Sequence, residues 1–265
     1  MSPDLTRIGS VWLLGCGNMG GALLHRWVAA GLTRITIIDP SPRDLPNGVD
    51  AGAAAPAGTG PDVLVLAVKP QLLAEAAVPL LARLKPDTLV VSILAGTTCA
   101  TLSSLFEGRA VVRTMPNTPA RIGQGVTALF APQAAGREAA EALMAAAGTA
   151  VWLDDEGQFD AVTAVSGSGP AYVFAFIEAL AAAGVAGGLP EKLAAELALR
   201  TVGGAAALAM TGEADPTALR IAVTSPNGTT AAGLAVLGAD AALDRLVTAT
   251  VAAAQNRSLE LGRPV

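Results

Sequence analysis

The chain has 265 residues, of which 52% are hydrophobic, 15% charged and only 3% aromatic, with a net charge of −5. That length holds one large or two modest domains. The acidic balance argues against general nucleic-acid binding, and two cysteines with a single histidine form neither a metal spacing nor a disulfide framework.

The first element is Val11 to Leu14, an apolar run with the length and bulk of a buried parallel strand. It runs into Gly15-Cys16-Gly17-Asn18-Met19-Gly20, which fits G-x-G-x-x-G. In a dinucleotide site the three glycines serve different ends. Gly15 permits the tight turn, Gly17 the close approach of a pyrophosphate, and Gly20 the packing of helix on strand. A helix over Gly21 to Ala30 would aim its N–H groups and positive dipole end at the phosphates. Leu32 to Ile38 is the next strand, followed by Asp39, at the offset where an acid holds a ribose 2′-hydroxyl.

Residues 40–48 are loop chemistry, rich in proline, and Ala51 to Gly60 carries too much Gly and Pro for a firm helix. This crossover is therefore expected to be abbreviated. Strands follow at Asp62 to Val68, Thr88 to Leu94, Ala110 to Met115, Gly125 to Phe130 and Thr149 to Leu153. Helices are predicted between them at Gln71 to Leu84, Cys99 to Phe106 and Arg137 to Ala147. The alternation predicts a doubly wound, mostly parallel sheet with helices on both faces. From about Asp160 strand signals vanish. Ala/Leu-rich helices are predicted at Tyr172 to Ala183, Pro190 to Met210, Thr229 to Leu237 and Ala239 to Leu261. The expected division is residues 1–160, α/β, and residues 161–265, all-helical.

A mean hydropathy of +0.52 points either to a membrane or to a large subunit interface. The longest charge-free run, between Asp160 and Glu178, contains Ser166-Gly167-Ser168-Gly169-Pro170, which is expected to break a spanning helix. The interface is the expected explanation. No signal-peptide pattern opens the chain, and the cysteine usage suits a reducing cytosol, so a cytoplasmic location is expected.

Ligands of open parallel sheets bind outside the carboxyl ends of the strands. Lys69, straight after a charge-free strand, is placed there within Ala67-Val68-Lys69-Pro70; a solvated loop lysine is the alternative. Ala95-Gly96 and Asn117, the latter between two prolines, leave neighbouring strand ends. In the helical half, Ser225-Pro226-Asn227-Gly228-Thr229-Thr230 opens a helix, where free N–H groups and two hydroxyls make a seat for a small anion. An ordinary capping turn explains the same residues equally well.

Six motifs, LLGCGNMG, LAVKP, SILAG, RTMPNTP, AVSGSGPAYVF and VTSPNGTT, occur in this order nearly end to end. In them the chain resembles the pyrroline-5-carboxylate reductases. The resemblance implies a Rossmann-like domain followed by an all-helical dimerisation domain, in a homodimer that often assembles into a decamer. It implies reduction of 1-pyrroline-5-carboxylate to L-proline with hydride from NADPH or NADH; from the residues themselves, neither a metal site nor a membrane is expected. It assigns Gly15, Gly17, Asn18, Met19 and Gly20 to the pyrophosphate turn, and Ala67, Val68, Lys69, Pro70 and Asn117 to the nicotinamide end, with Ala95 and Gly96 also expected to bind the cofactor. Ser225, Gly228, Thr229 and Thr230 match its substrate-carboxylate loop, with Glu213 at an acidic position near the substrate. Thr230 and Lys69 form the expected catalytic set.

The family loop usually reads SPGGTT; here Asn227 replaces a glycine, and Asn tolerates positive φ better than other side chains. Cofactor choice stays open. Asp39 would accept from a 2′-hydroxyl, whereas Ser41 and Arg43 could grip a 2′-phosphate. A β-hydroxyacid dehydrogenase would need a lysine early in the helical half, and residues 166 to 190 contain none.

Overall fold

A computed structural model describes residues 5–262. Its apolar four-residue runs form the centre of an eight-stranded sheet of order β3-β2-β1-β4-β5-β6-β7-β8. These strands are β1 (Val11–Leu14), β2 (Ile35–Ile38), β3 (Asp50–Gly52), β4 (Val63–Leu66), β5 (Leu89–Ser92), β6 (Val111–Met115), β7 (Gly125–Phe130) and β8 (Gly148–Trp152). All neighbours pair in parallel except β6 with β7. In register, Val11 faces both Ile35 and Val63, so β1 lies where the strand order reverses.

Because side chains alternate along a strand, β1 feeds two cores. Val11 and Leu13 pack with Leu23, Leu24 and Trp27 of α1 (Asn18–Ala29) and Leu143 and Met144 of α4 (Arg137–Ala145). Trp12 and Leu14 pack on the opposite face with Leu73 and Ala77 of α2 (Leu73–Ala77) and Leu102 of α3 (Cys99–Leu105). The buried Trp27 indole donates to the Leu143 carbonyl at 2.7 Å, which satisfies its N–H and fastens α1 to α4.

Several elements differ from the sequence expectation. The helix predicted over Gln71 to Leu84 is broken into a 3-10 turn at Pro70–Leu72, the five-residue α2, and a 3-10 stretch at Val78–Arg83. Pro79 explains the break, since it has no N–H to donate inside a helix. No helix joins β2 to β3, as the abbreviated crossover anticipated. The edge strand β3 was not anticipated, because Asp50, Ala51 and Gly52 carry no strand signal and pair through backbone alone.

Ser166 to Pro170 does not interrupt the helix. Thr163–Gly167 adopt a π turn after α5 (Phe159–Val162), and α6 (Gly169–Ala186) follows at once, giving a helical run from Glu156 to Ala186. Pro170 lies in the first turn of α6, where its missing N–H is not needed. By length and composition, this run and α7 (Glu191–Met210) are each apolar enough to cross a membrane.

The chain forms two units, one reaching to Ser168 and joined by the chain from Ala254 onward, the other Gly169–Ala253. In the first, Ser258 near the end of α10 (Ala242–Leu261) donates to Asp160 at 2.6 Å. The second contains α6, α7, α8 (Pro216–Ala222), α9 (Thr229–Gly238) and the start of α10. Helix α8 was missed, although Asp215 caps it by accepting from Ala218 N at 2.9 Å and Pro216 opens it. Within α6 and α7 only Ala194 and Ala198 are buried, while Val173, Phe176 and Leu180 stand exposed along one side of α6.

Candidate active site

The turn after β1 is shaped by three glycines with three different surroundings. Gly15 has φ +93°, and a Cβ there would meet the Ala67 carbonyl group and Val68 N at 2.8 Å. A Cβ on Gly20 would stand 2.6 Å from the Gly15 oxygen, so α1 leaves the strand only because that atom is missing. A Cβ on Gly17 would meet nothing within 4 Å. Gly17 is therefore not required by packing; it keeps the backbone open on the solvent side, at the N-cap of α1, where no side chain caps the helix. A concave, uncapped helix start of this kind fits a pyrophosphate.

Beside the turn lies a cleft of about 540 Å³. One wall is the N-cap Gly17 with Asn18, Gly21 and His25, the last three spaced three to four apart on one face of α1. The other is Asp39, Ser41, Arg43 and Asp44 after β2, and Arg121 reaches it from the 3-10 turn Thr118–Ile122. Asp39 is tied down: one carboxylate oxygen accepts from Cys16 N at 2.6 Å and the other from Ser41 N at 2.7 Å. Cys16 is buried, which pushes its thiol pKa up, with Asp39 adding to the rise. It is a packing residue of the turn, held away from the thiolate form.

The remaining expected cofactor residues fall outside this cleft. Met19 packs on the hydrophobic core. Ala67 and Val68 are half-buried against Gly15, and Lys69 and Pro70 are exposed at the carboxyl end of β4. Ala95 is exposed after β5, and Gly96 packs on Gly262. Asn117 is buried with its amide fully engaged: its oxygen accepts from Val126 N at 2.9 Å, and its nitrogen donates to the Ser166 carbonyl at 3.2 Å and hydroxyl at 3.3 Å. It pins the loop after β6 to the π turn.

In the second unit, Glu213 is exposed in the loop before α8. Asn227 takes φ +61°, the left-handed turn that a glycine would otherwise supply. Gly228 caps α9 without any side-chain bond, its N–H donating to the Ser225 oxygen at 3.1 Å. Thr229 and Thr230 are exposed at the first two positions of this ten-residue helix. Its leading N–H groups therefore have no partner from a cap.

His25, Asp44 and Arg121 were not foreseen as parts of the first cleft. The first was legible, being four residues beyond Gly21 on the same helical face; Arg121 comes from a turn remote in sequence and was not. Also missed was the node where Glu156 accepts from Cys99 N at 2.7 Å and from Arg113 at 3.0 Å, while Arg113 lies 4.1 Å from the Phe159 ring centroid. Burial, and then Glu156, push the Cys99 thiol up to about 12.

A parallel-rich sheet, a glycine turn at its switch point and an open helix start define a Rossmann-like dinucleotide-binding protein. The description "NADP oxidoreductase coenzyme F420-dependent" matches residues 10–96, and "Pyrroline-5-carboxylate reductase dimerisation" matches residues 156–261. A pyrroline-5-carboxylate reductase of Pseudomonas aeruginosa is 43% identical, over 94% of this chain and 95% of that one. The structure is similar to that of the Coxiella burnetii pyrroline-5-carboxylate reductase, with a TM-score of 0.89 and 33% identity over 97% of this chain and 100% of that one. It is also similar to the Plasmodium falciparum pyrroline carboxylate reductase solved with NADP bound, with a TM-score of 0.79 and 27% identity over 96% and 98%.

The chain belongs to the pyrroline-5-carboxylate reductase family. Its activity is that of an NAD(P)H-dependent oxidoreductase that reduces 1-pyrroline-5-carboxylate to L-proline, and its second part is the family's dimerisation domain.

Proposed function

We propose that residues 1–160 hold the dinucleotide and residues 161–265 hold the substrate and form the dimer, with the substrate carboxylate seated at the start of α9. When bound, the reduced nicotinamide supplies the hydride. The chain itself has to bind, orient and manage one proton. Gly15, Gly17 and Gly20 with Asn18 would hold the pyrophosphate, and Asp39, Ser41 and Arg43 the adenosine ribose. Ala67, Val68, Lys69, Pro70, Ala95 and Gly96, at the ends of β4 and β5, would border the nicotinamide end. Asn117 contributes there by holding the loop after β6 in place.

The observation that carries the reading is the bare helix start. Gly228 caps α9 through backbone only, and the N–H groups and hydroxyls of Thr229 and Thr230 stand free and exposed. N–H groups at a helix start favour a carboxylate through both hydrogen bonding and the helix dipole. Ser225 shapes the turn, and Glu213 lies in an exposed loop of the same unit. A protonated cyclic imine is already electron-poor, so the reaction asks for orientation more than for a strong acid. Thr230 would hydrogen-bond the ring nitrogen or a water beside it, and Lys69 would add positive charge beside the nicotinamide.

Exposed apolar stripes on α6 and α7 support a homodimer in which a second copy covers them, in preference to a membrane. Assembly of dimers into a decamer and a cytoplasmic location belong to the same proposal, with no nucleic acid as partner. Thr230→Ala tests the site: kcat/KM for the imine is expected to fall by roughly 10- to 100-fold, the size of a lost hydrogen bond to a charged group. Affinity for the dinucleotide should stay near that of the parent. Unchanged kinetics would remove Thr230 from the mechanism.

A further inference from the structure

The loop between β5 and α3 carries Ala95 and Gly96 at the carboxyl end of the sheet, and among the described residues no hydrogen bond fastens Ala95, Gly96 or Thr97 to any other element. Its two ends are held. Leu94 N donates to the Ser92 hydroxyl at 3.2 Å, and Cys99 N donates to Glu156 at 2.7 Å. The middle is backed by the end of α10. Gly96 has φ +71°, and a Cβ there would stand 3.0 Å from Gly262 Cα and 3.4 Å from the Leu261 oxygen.

Gly262 is set in turn by Ser258, whose carbonyl accepts from Gly262 N at 3.0 Å. The Ser258 side chain is buried, and its hydroxyl donates to Asp160 at 2.6 Å. Asp160 follows Glu156 by one turn on the same helical run, so one short segment grips both the start of α3 and the end of α10. All of these residues belong to the first unit, which the chain rejoins at Ala254.

We infer that the end of α10 is a positioning element for hydride transfer: Ser258, locked on Asp160, sets Gly262 against Gly96 and so fixes how far the loop after β5 can recede from the nicotinamide. The inference rests on the proposed place of Ala95 and Gly96 at the nicotinamide end and goes beyond it. A loop without hydrogen bonds of its own takes its position from whatever packs behind it. Van der Waals contact resists compression steeply, so the loop cannot move back while Gly262 stays in place. Hydride transfer depends on the reacting atoms being held within a few tenths of an ångström, and a misplacement of about 1 Å can cost roughly a hundredfold in rate. Binding of the dinucleotide is anchored elsewhere, at the glycine turn. Loss of the latch should therefore slow the chemical step and leave affinity largely intact.

Single-turnover reduction of 1-pyrroline-5-carboxylate, followed by NADPH absorbance with the imine saturating and normalised to bound NADPH, reads this step. Ser258→Ala and Asp160→Ala are expected to slow hydride transfer by about tenfold, with NADPH affinity within about twofold of the parent. Asp160→Asn keeps an acceptor for the Ser258 hydroxyl and should restore a rate near the parent's. Gly262→Val keeps the Ser258–Asp160 bond but crowds Gly96, and should slow transfer as well. A parental single-turnover rate in Ser258→Ala, with only the thermal midpoint lowered, would make the bond a mere staple and overturn the inference. Ala95→Val checks the footing: it should weaken NADPH but not 2′-phospho-ADP-ribose, which lacks the nicotinamide. If it weakens neither, the loop does not border the nicotinamide, and that reading falls together with the inference. If it weakens NADPH alone while Ser258→Ala keeps the parental rate, only the role of α10 falls.

Discussion

At the scale of single residues, the three glycines separate packing from binding. Gly15 and Gly20 face backbone at distances no Cβ can share, whereas Gly17 faces open space. Gly20→Ala should therefore lower the thermal midpoint as well as dinucleotide affinity, because α1 must shift off β1. Gly17→Ala should keep a midpoint close to the parent and still bind NADPH at least tenfold more weakly, since the new methyl stands where phosphate oxygens belong. Differential scanning fluorimetry beside NADPH fluorescence titration checks both. Equal loss of stability in the two variants would mean that Gly17 is a packing residue as well.

The glycine turn was legible because it rests on spacing within thirty residues, and spacing survives folding. Asn117 shows where such reading stops. Two flanking prolines announced a stiff loop, but only the fold reveals that its amide bonds Val126 and Ser166 and so is no longer free for a ligand. Arg121 joins the cleft from a remote turn by the same kind of long-range placement, which no local pattern encodes.

At the scale of elements, Asp62 clips the entry of β4 to the entry of β1. It accepts from Lys85 Nζ at 2.6 Å and from Ser10 N and Oγ at 2.6 and 2.9 Å. The Lys85 hydrogen bond, followed by those of Ser10 and the lysine's charge, holds its pKa at about 2 against the opposing effect of burial. A depressed carboxylate pKa means that the unfolded chain takes up its proton first. Its stabilisation is complete above the ordinary Asp value of about 4 and is lost as pH falls toward 2. Asp62 is 46% exposed, so solvent screens the pair and the contribution is no more than about 1 kcal/mol. Urea denaturation should show Asp62→Asn less stable than the parent at pH near 7, with the difference shrinking as pH falls through about 2; a constant difference would contradict the assignment. Elements with a side-chain signature, such as β1, β7 and α7, were legible to within a residue or two. Where backbone decides, they were not: β3 pairs without strand-forming side chains, and Pro79 divides a stretch whose apolar pattern reads as one helix.

For the whole molecule, a subunit interface is the physical answer to the exposed apolar helices. Val173, Phe176 and Leu180 recur at helical spacing on α6 with 46%, 51% and 38% of their surface exposed. Burying one such side chain is worth about 1.5–3 kcal/mol, and a twofold dimer buries it twice. Phe176→Glu should then raise the dimer dissociation constant by more than about a hundredfold, seen as monomer in sedimentation velocity. A persisting dimer would place the interface on another face.

The most direct test lies at the start of α9. In a crystal of the protein soaked with L-proline, the ligand carboxylate is expected against the N–H groups of Thr229 and Thr230, with the Thr230 hydroxyl on the ring-nitrogen side. A carboxylate lodged elsewhere, with Ser225 to Thr230 facing bulk water, would contradict the assignment.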